Sequence, residues 1–345
     1  MTWRAACGIG CAAMLPWFQD RFPLYLAPMA GVTDTIFRQL AKEHGADVMV
    51  TEFVSAEGVF RRNERTLEYL EFEAAERPLG VQLFGADPEH LGEAARMVIE
   101  WKQPDFIDLN FGCPVNKIVS KNGGSSLLRD CPLLEKVARA VVRACAPVPV
   151  TAKIRIGWSA ETINATTTAR ILEDAGIAAV AVHGRTKEQG YSGAADWEVI
   201  AQTAAAVRIP VIGNGDLASA RDVASRMDTG VRGVMLGRAA MSAPWIFAEI
   251  KHFLATGEIL PPPPLDAQWA HIARHCARHC ARHVARRGDE VAAMHSMRSR
   301  LMAYSRGMPD AKALRAKFSH VGSLAELDGI AAENLAHHPE PALAA

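Results

Sequence analysis

No apolar run in the 345-residue chain approaches the ~20 residues of a membrane-spanning helix, so a helical membrane protein is excluded. The opening "MTWRAACGIGCAAML" lacks the makings of a secretory signal, with a single Arg and an apolar part broken by glycines. It reads as a loose extension over residues 1–20, with the structural start near Leu15. A disulfide framework is missing as well. The seven cysteines are Cys7, Cys11, Cys113, Cys131, Cys145, Cys276 and Cys280, an odd number with no regular spacing. Reduced thiols in a cytoplasmic protein are the simplest account. Net charge is absent too, since 38 Lys/Arg face 38 Asp/Glu, which taken alone argues against a polyanion as partner. An apolar fraction of 49% with 22% charged residues excludes a disordered or fibrous chain. The length allows one large domain and a smaller one.

The zero net charge hides an uneven distribution. Residues 265–320 carry eleven Lys/Arg against four Asp/Glu, a net of +7, with six His besides. A catalytic body joined to a polyanion-binding module would show this pattern, and so would a solvated basic helix face.

From residue 24 to about 241, short β-branched and apolar runs alternate with segments of helical period. Eight strands are expected: "LYLAPMAG" (24–31), "DVMVTEF" (47–53), "LGVQLFG" (79–85), "DFIDLNFG" (105–112), "PVTAKIRIG" (149–157), "AAVAVHGRT" (178–186), "IPVIGNGD" (209–216) and "RGVMLGRAA" (232–240). Between them, "PEHLGEAARMVIEW" opens on Asp87-Pro88, an N-cap followed by proline at the first helical position. "CPLLEKVARAVVRACA" and "ETINATTTARILEDAGI" carry apolar residues three and four apart. Continuous apolar strands separated by helices imply a parallel sheet covered on both faces, and eight units imply an α/β (β/α)8 TIM barrel. Four prolines at 261–264 form a stiff linker. The expected division is an extension over 1–20, a barrel over 21–258 and a small C-terminal helical domain over 265–337.

In such a barrel the active-site groups sit at the C-terminal ends of the strands. There the first strand offers "APMAG" (27–31), whose small residues suit close approach of a flat ligand or a tight turn. Gln82 lies inside an apolar strand and must find partners, in the barrel or on an amide-bearing ring. Lys153 and Arg155 alternate with apolar residues and face one side; a buried lysine needs an anion or has a chemical task. His183 and Arg185 end the sixth strand, "NGD" (214–216) the seventh and "LGRAA" (236–240) the eighth. Gly215 and Gly237 free backbone N–H groups for an anion, and Arg238 adds a charged fork, a phosphate cradle where this fold often has one. Cradle, lysine, glutamine and histidine together describe a flavin mononucleotide (FMN) site.

The strings "APMAGVTDTIFR", "VQLFG", "NFGCPVNKIVSKNGGSSLL", "KIRIGW", "HGRT", "IGNGD" and "LGRAAMSAPWIF" resemble, in content and order, the flavin-dependent tRNA-dihydrouridine synthases. The resemblance spans residues 24 to 250, and more loosely the helical tail, which is similar to that family's RNA-binding domain. It implies FMN contacts at Pro28, Met29, Ala30, Gln82, Lys153, Asn214, Gly215, Asp216, Gly237 and Arg238, with His183 beside the flavin and Lys153 and His183 counted with the catalytic groups. It implies that NADPH reduces FMN, that the flavin passes hydride to C6 of a uridine in tRNA, and that Cys113 protonates C5. A thiol suits that task, being mostly protonated at neutral pH yet able to release its proton. A nucleophilic cysteine would want a neighbouring base, and the sequence near Cys113 offers none. Asn110, Lys117 and Arg185 are expected on the substrate side, the last two with Lys121 guiding the phosphate backbone of an extruded uridine.

"HIARHCARHCARHVARR" (271–287) imitates a metal site, with His271, His275, His279 and His283 four apart. Four-residue steps drift about 40° each on a helix, so only adjacent pairs share a face. The interleaved Arg274, Arg278, Arg282 and Arg286 would repel a cation. No metal is expected; the helix is expected either against tRNA phosphate, through Arg274, Arg278 and Arg282, or as a solvated face. No protein partner is implied, and the chain is expected to act as a monomer. Two rival functions remain: an FMN-dependent dehydrogenase of a free pyrimidine such as dihydroorotate, and a tRNA-binding protein without catalysis.

Overall fold

The computed structural model describes residues 15–19, 21–115 and 123–339. The strands are β1 (Leu24–Leu26), β2 (Met49–Val50), β3 (Val54–Ser55), β4 (Leu79–Phe84), β5 (Phe106–Phe111), β6 (Val150–Arg155), β7 (Ala179–His183), β8 (Val211–Asn214) and β9 (Gly233–Leu236). Their order is β1-β9-β8-β7-β6-β5-β4-β2, every pair parallel. The ring closes where β1 meets the residues before β2: the Asp47 N–H donates to Leu24 O at 2.8 Å and the Leu26 N–H to Val48 O at 3.0 Å. With β2 and β3 as two halves of one position, this is the expected eight-position (β/α)8 barrel.

The second position breaks for a local reason. At Thr51 the side-chain hydroxyl, instead of a main-chain carbonyl, accepts from the Gln82 N–H at 3.0 Å. The ladder to β4 is interrupted and resumes at β3.

The helices over the barrel are α1 (Thr35–Glu43), α2 (Ala56–Arg61), α3 (Glu64–Tyr69), α4 (Pro88–Lys102), α5 (Cys131–Cys145), α6 (Ala165–Asp174), α7 (Trp197–Ala206), α8 (Ala220–Ala224), α9 (Arg238–Ser242) and α10 (Ile246–Thr256). Asp87 caps α4 as expected, accepting from the His90 N–H at 2.7 Å. The barrel interior holds Tyr25, Val50, Phe106, Ala181, Ile212 and Met235. Leu15 and Phe18 are buried in the same cluster, and the Trp17 indole donates to Tyr25 Oη at 2.6 Å, so residues 15–18 of the expected extension belong to the packed barrel. The rest of the expected N-terminal extension, including Cys7 and Cys11, lies outside the described residues.

After the proline run, four helices follow: α11 (Leu265–Arg287), α12 (Glu290–Tyr304), α13 (Ala311–Phe318) and α14 (Leu324–His337). Trp269, Cys276, Met297, Leu301, Phe318 and Leu327 form their core. No described helix is long and apolar enough to cross a membrane.

The basic stripe of α11 does not stand free. Arg274 and Arg278 reach Glu43 at 3.3 and 2.5 Å, Arg282 and Arg286 meet Glu71, and Arg287 reaches Glu68 at 2.7 Å. The arginines expected at tRNA phosphate are thus turned onto carboxylates of α1 and of the segment carrying α3. The negative barrel and the positive tail answer each other within one chain.

The histidines lie at the same junction. His44 and His271 nitrogens are 3.1 Å apart, and His271 and His275 reach Tyr304 Oη at 3.2 and 2.9 Å. Among the described residues no group of three or more His, Cys, Asp or Glu is placed to hold a metal. Burial first, then His44 and nearby arginines, pull His271 down to about 3; burial and then Arg300 hold His275 well below the ordinary value. Both rings are neutral when folded, whereas the unfolded chain gains a proton at each as pH falls through about 6.5. Stability is therefore fully present above that pH and declines toward pH 3, where His271 titrates in the fold. The expected slope is up to about 1.4 kcal/mol per pH unit for each ring. Urea midpoints compared between about pH 7.5 and about pH 5 test this, and equal midpoints would contradict it.

Candidate active site

At the C-terminal ends of the strands, Arg155, His183 and Asn214 pair across β6, β7 and β8 in one row. Lys153 lies one step deeper on the same side of β6 and donates from Nζ to Asn214 Oδ1 at 3.2 Å. No carboxylate pairs with it among the described residues. Burial, then the charge of Arg155, lowers its ammonium to about 8. His183 is pushed down to about 2, by burial first and then by Lys153, Arg155, Arg185 and Arg238, so its ring is neutral.

Cys113 follows the end of β5 in a loop held from three sides. Asn110 Oδ1 accepts from the N–H groups of Gly112 and Cys113 at 3.1 and 2.9 Å. Arg155 Nε donates to Gly112 O at 3.0 Å, and Ser125 Oγ donates to Cys113 O at 2.9 Å. Burial raises the thiol pKa, opposed by the Val115 N–H and the charges of Arg155 and Lys153. The sulfur therefore keeps its proton at neutral pH, yet has groups ready to receive negative charge.

A polar chain crosses the barrel beneath this loop. The Thr151 hydroxyl bonds Asp108 Oδ1 at 2.5 Å, Gln82 Nε2 donates to Asp108 Oδ2 at 2.6 Å, and Asn110 Nδ2 donates to Gln82 Oε1 at 2.9 Å. Of the two partner sets open to Gln82, the fold supplies barrel neighbours, and its side chain is fully buried. Asn110, expected on the substrate side, is spent on orienting Gln82 and the cysteine loop. Asp108 belongs to none of the sequence motifs, although its two-residue spacing from Asn110 puts both on one face of β5.

The glycine cradle forms at the ends of β8 and β9. Gly215 has φ +126°, and an added Cβ would lie 2.7 Å from Ala195 Cβ and 3.1 Å from the His183 ring. Gly237 precedes α9, which has no side-chain cap, so the first N–H groups of that helix are available. Met29 lies at the cradle, since a Cβ on Gly237 would meet its sulfur at 3.6 Å. Asp216 accepts from Arg185 at 2.8 Å and from Arg238 at 3.1 Å. Pro28, Met29 and Ala30 begin a loop after β1 anchored by buried arginines. Arg38 donates to Thr33 O at 2.7 Å, and Arg300, from the C-terminal helices, to Val32 O at 3.2 Å and Asp34 at 2.7 Å.

Arg185 differs from expectation. It is 2% exposed and donates to Ser192 O, Gly193 O and Asp216, so it holds the loop after β7 and does not face an RNA backbone. Its Nη1 is buried and has no partner among the described residues. Tyr191, which no periodicity signals, stands 62% exposed on that loop, with Arg155 and Arg238 at 5.8 and 5.0 Å from its ring. Lys117 and Lys121 lie outside the described residues.

Four cations thus surround His183, and Asp216 is the only carboxylate hydrogen-bonded to any of them among the described residues. That surplus, the unpartnered Nη1 and the glycine cradle fit a ligand with a phosphate and a ring that gains negative charge, as FMN is.

The family model described as dihydrouridine synthase (Dus) matches residues 25–339. The chain belongs to the dihydrouridine synthase family. Relatives bear this out along the chain. The tRNA-dihydrouridine synthase B of Xanthomonas campestris is 48% identical over 241 residues, 70% of this chain and 72% of that protein. The protein of the same name from Pseudomonas aeruginosa is 42% identical over 301 residues, 86% and 88% of the two chains. A probable tRNA-dihydrouridine synthase of Synechocystis is 38% identical over 303 residues, 87% and 82%. The family match includes the C-terminal helices as well as the barrel, so dihydrouridine synthase character extends over both.

Proposed function

We propose that this dihydrouridine synthase reduces the C5=C6 bond of uridines in tRNA, with FMN at the barrel mouth, NADPH as reductant and Cys113 as proton donor. The observation that carries the reading is the cysteine loop: a buried, protonated thiol fixed at the mouth of the barrel beside a cationic, glycine-lined cradle. Gly215, Gly237 and Arg238 would hold the FMN phosphate, and Lys153, Asn214, Asp216 and the loop at 28–30 its remaining polar atoms. Bound FMN supplies the hydride that reaches C6. The chain's own task is to place a proton at C5, which the thiol does while Asn110, Arg155 and Ser125 keep the loop from shifting. Neutral His183 adds no charge against the ring and packs against Gly215.

On this reading the catalytic barrel covers 21–258, joined by the plug at 15–18, and the helices over 265–337 bind tRNA. With the α11 arginines engaged, the exposed Arg306, Lys312 and Arg315, which have no ion-pair partner among the described residues, are the cations left for phosphate. The enzyme works as a monomer in the cytoplasm. Purified protein should carry flavin absorbance, oxidise NADPH in a tRNA-dependent manner and produce dihydrouridine detectable by mass spectrometry. Flavin reduced by NADPH but reoxidised by a free pyrimidine, and not by tRNA, would overturn this reading in favour of a free-base dehydrogenase.

A further inference from the structure

Among the described residues, every hydrogen bond of the Arg155 guanidinium goes to main-chain oxygen. Its Nε donates to Gly112 O at 3.0 Å and its Nη1 to Thr186 O at 2.7 Å and Gly190 O at 2.9 Å. The side chain is 2% exposed, and no carboxylate among the described residues pairs with it. A buried charge without a counter-ion is expensive and persists only where something is gained by it. This one lies under the loop that carries Cys113. The loop is pressed onto β6: a Cβ added at Gly112 would stand 3.3 Å from the Ile154 carbonyl carbon and 3.4 Å from Lys153 O. The other two carbonyls belong to the turn that presents Tyr191.

We propose that Arg155 is the internal counter-charge for the thiolate that Cys113 becomes, and the clip joining the cysteine loop to the 186–191 loop. This rests on the reading of Cys113 as the acid. In that step the S–H bond breaks, the proton passes to C5, and the electron pair stays on sulfur. Negative charge then develops on the sulfur of a buried residue, where a fixed cation is worth far more than in solution. Among the described residues, the charges that favour the thiolate are Arg155 and Lys153, both from β6, with the Val115 N–H beside them; Arg155 is tied by its Nε to the carbonyl of the residue before Cys113, and the charge of Arg185, from β7, acts in turn on Arg155. Lys153 gives up its proton near pH 8, whereas a guanidinium stays charged across the working range, so Arg155 is the permanent cation. Because it acts through the sulfur and its loop, it is a positioning residue.

The test uses the flavin-loaded full chain without tRNA. Iodoacetamide labelling of Cys113 is followed against pH, with the modified peptide read by mass spectrometry to separate it from the other cysteines. Arg155→Gln should move the labelling midpoint up by about one pH unit or more. Arg155→Lys, which keeps the charge but cannot span three carbonyls, should leave the midpoint within about half a unit of the parent. Its dihydrouridine formation should fall about tenfold to a hundredfold, because the loop is no longer fixed. An unmoved midpoint in Arg155→Gln, or one moved by a full unit in Arg155→Lys, overturns the counter-charge. A normal reaction rate in Arg155→Lys overturns the clip. Failure of the acid reading looks different: Cys113→Ala would then form product normally while the labelling midpoints of parent and Arg155→Gln still differed.

Discussion

Cys113→Ala should lower dihydrouridine formation by about 10²- to 10⁴-fold, the usual worth of a general acid, while flavin stays bound and still accepts electrons from NADPH. The expectation follows from the state of each possible donor. Burial keeps the proton on the thiol, and the Val115 N–H and two cations offset the charge left behind. His183 cannot substitute, since with a value near 2 its ring carries no proton to spare at neutral pH. Lys153 is the stronger rival: at about 8 it is protonated at pH 7 and acidic enough to give its proton up. It is, however, turned toward Asn214 on β8. The loop backbone should survive the substitution, because Asn110, Arg155 and Ser125 bond main-chain atoms of residues 112 and 113. Stopped-flow reduction by NADPH separates the half-reactions. Wild-type product rates in Cys113→Ala would move the acid to Lys153, and loss of flavin reduction would mean that the loop also shapes the cofactor site.

What could be read from residues alone was whatever repeats locally. Apolar runs of strand length placed the eight barrel positions, and Asp87-Pro88 placed the start of α4 within a residue. The interruption at Thr51 was not legible, because it depends on a hydroxyl replacing a carbonyl opposite another strand. The α11 arginines show the same limit. Their number and spacing were plain, but their partners Glu43, Glu68 and Glu71 lie some two hundred residues earlier, and a linear charge count cannot tell an RNA surface from an internal seam. Gln82 marked a polar interior correctly, yet its engagement by Asp108 and Asn110 depends on the register of β4 against β5. Arg185 was misplaced because a guanidinium at a strand end looks available in sequence, and only the return of the 191–193 loop over it buries the charge.

Glu76→Gln should cost about 3–5 kcal/mol of unfolding free energy, the toll of leaving one member of a buried ion pair alone. Glu76 and Arg38 are 0% and 2% exposed, with Nε to Oε2 at 2.5 Å. The carboxylate also accepts from the Thr35 hydroxyl and from the Glu73 N–H, while Arg38 holds Thr33 O and Glu71 O. A neutral amide would leave the guanidinium uncompensated and turn an acceptor into a donor facing other donors. The damage should travel two ways, since Thr33 closes the loop that brings Met29 to the cradle and Glu71 is the carboxylate that Arg282 and Arg286 grip. Flavin affinity should therefore weaken along with stability. Arg38→Met combined with Glu76→Leu should recover part of the loss, because replacing both charges removes the desolvation cost. Recovery stays partial, as Thr33 O, Glu71 O and the Glu73 N–H lose their partners. Denaturant midpoints of Arg38→Met alone, Glu76→Leu alone and the two together close the cycle, with Glu76→Gln measured beside them. If the single variants unfold where the parent does, the pair does not hold the loop, and the placement of residues 28–34 falls to Arg300 and the C-terminal helices.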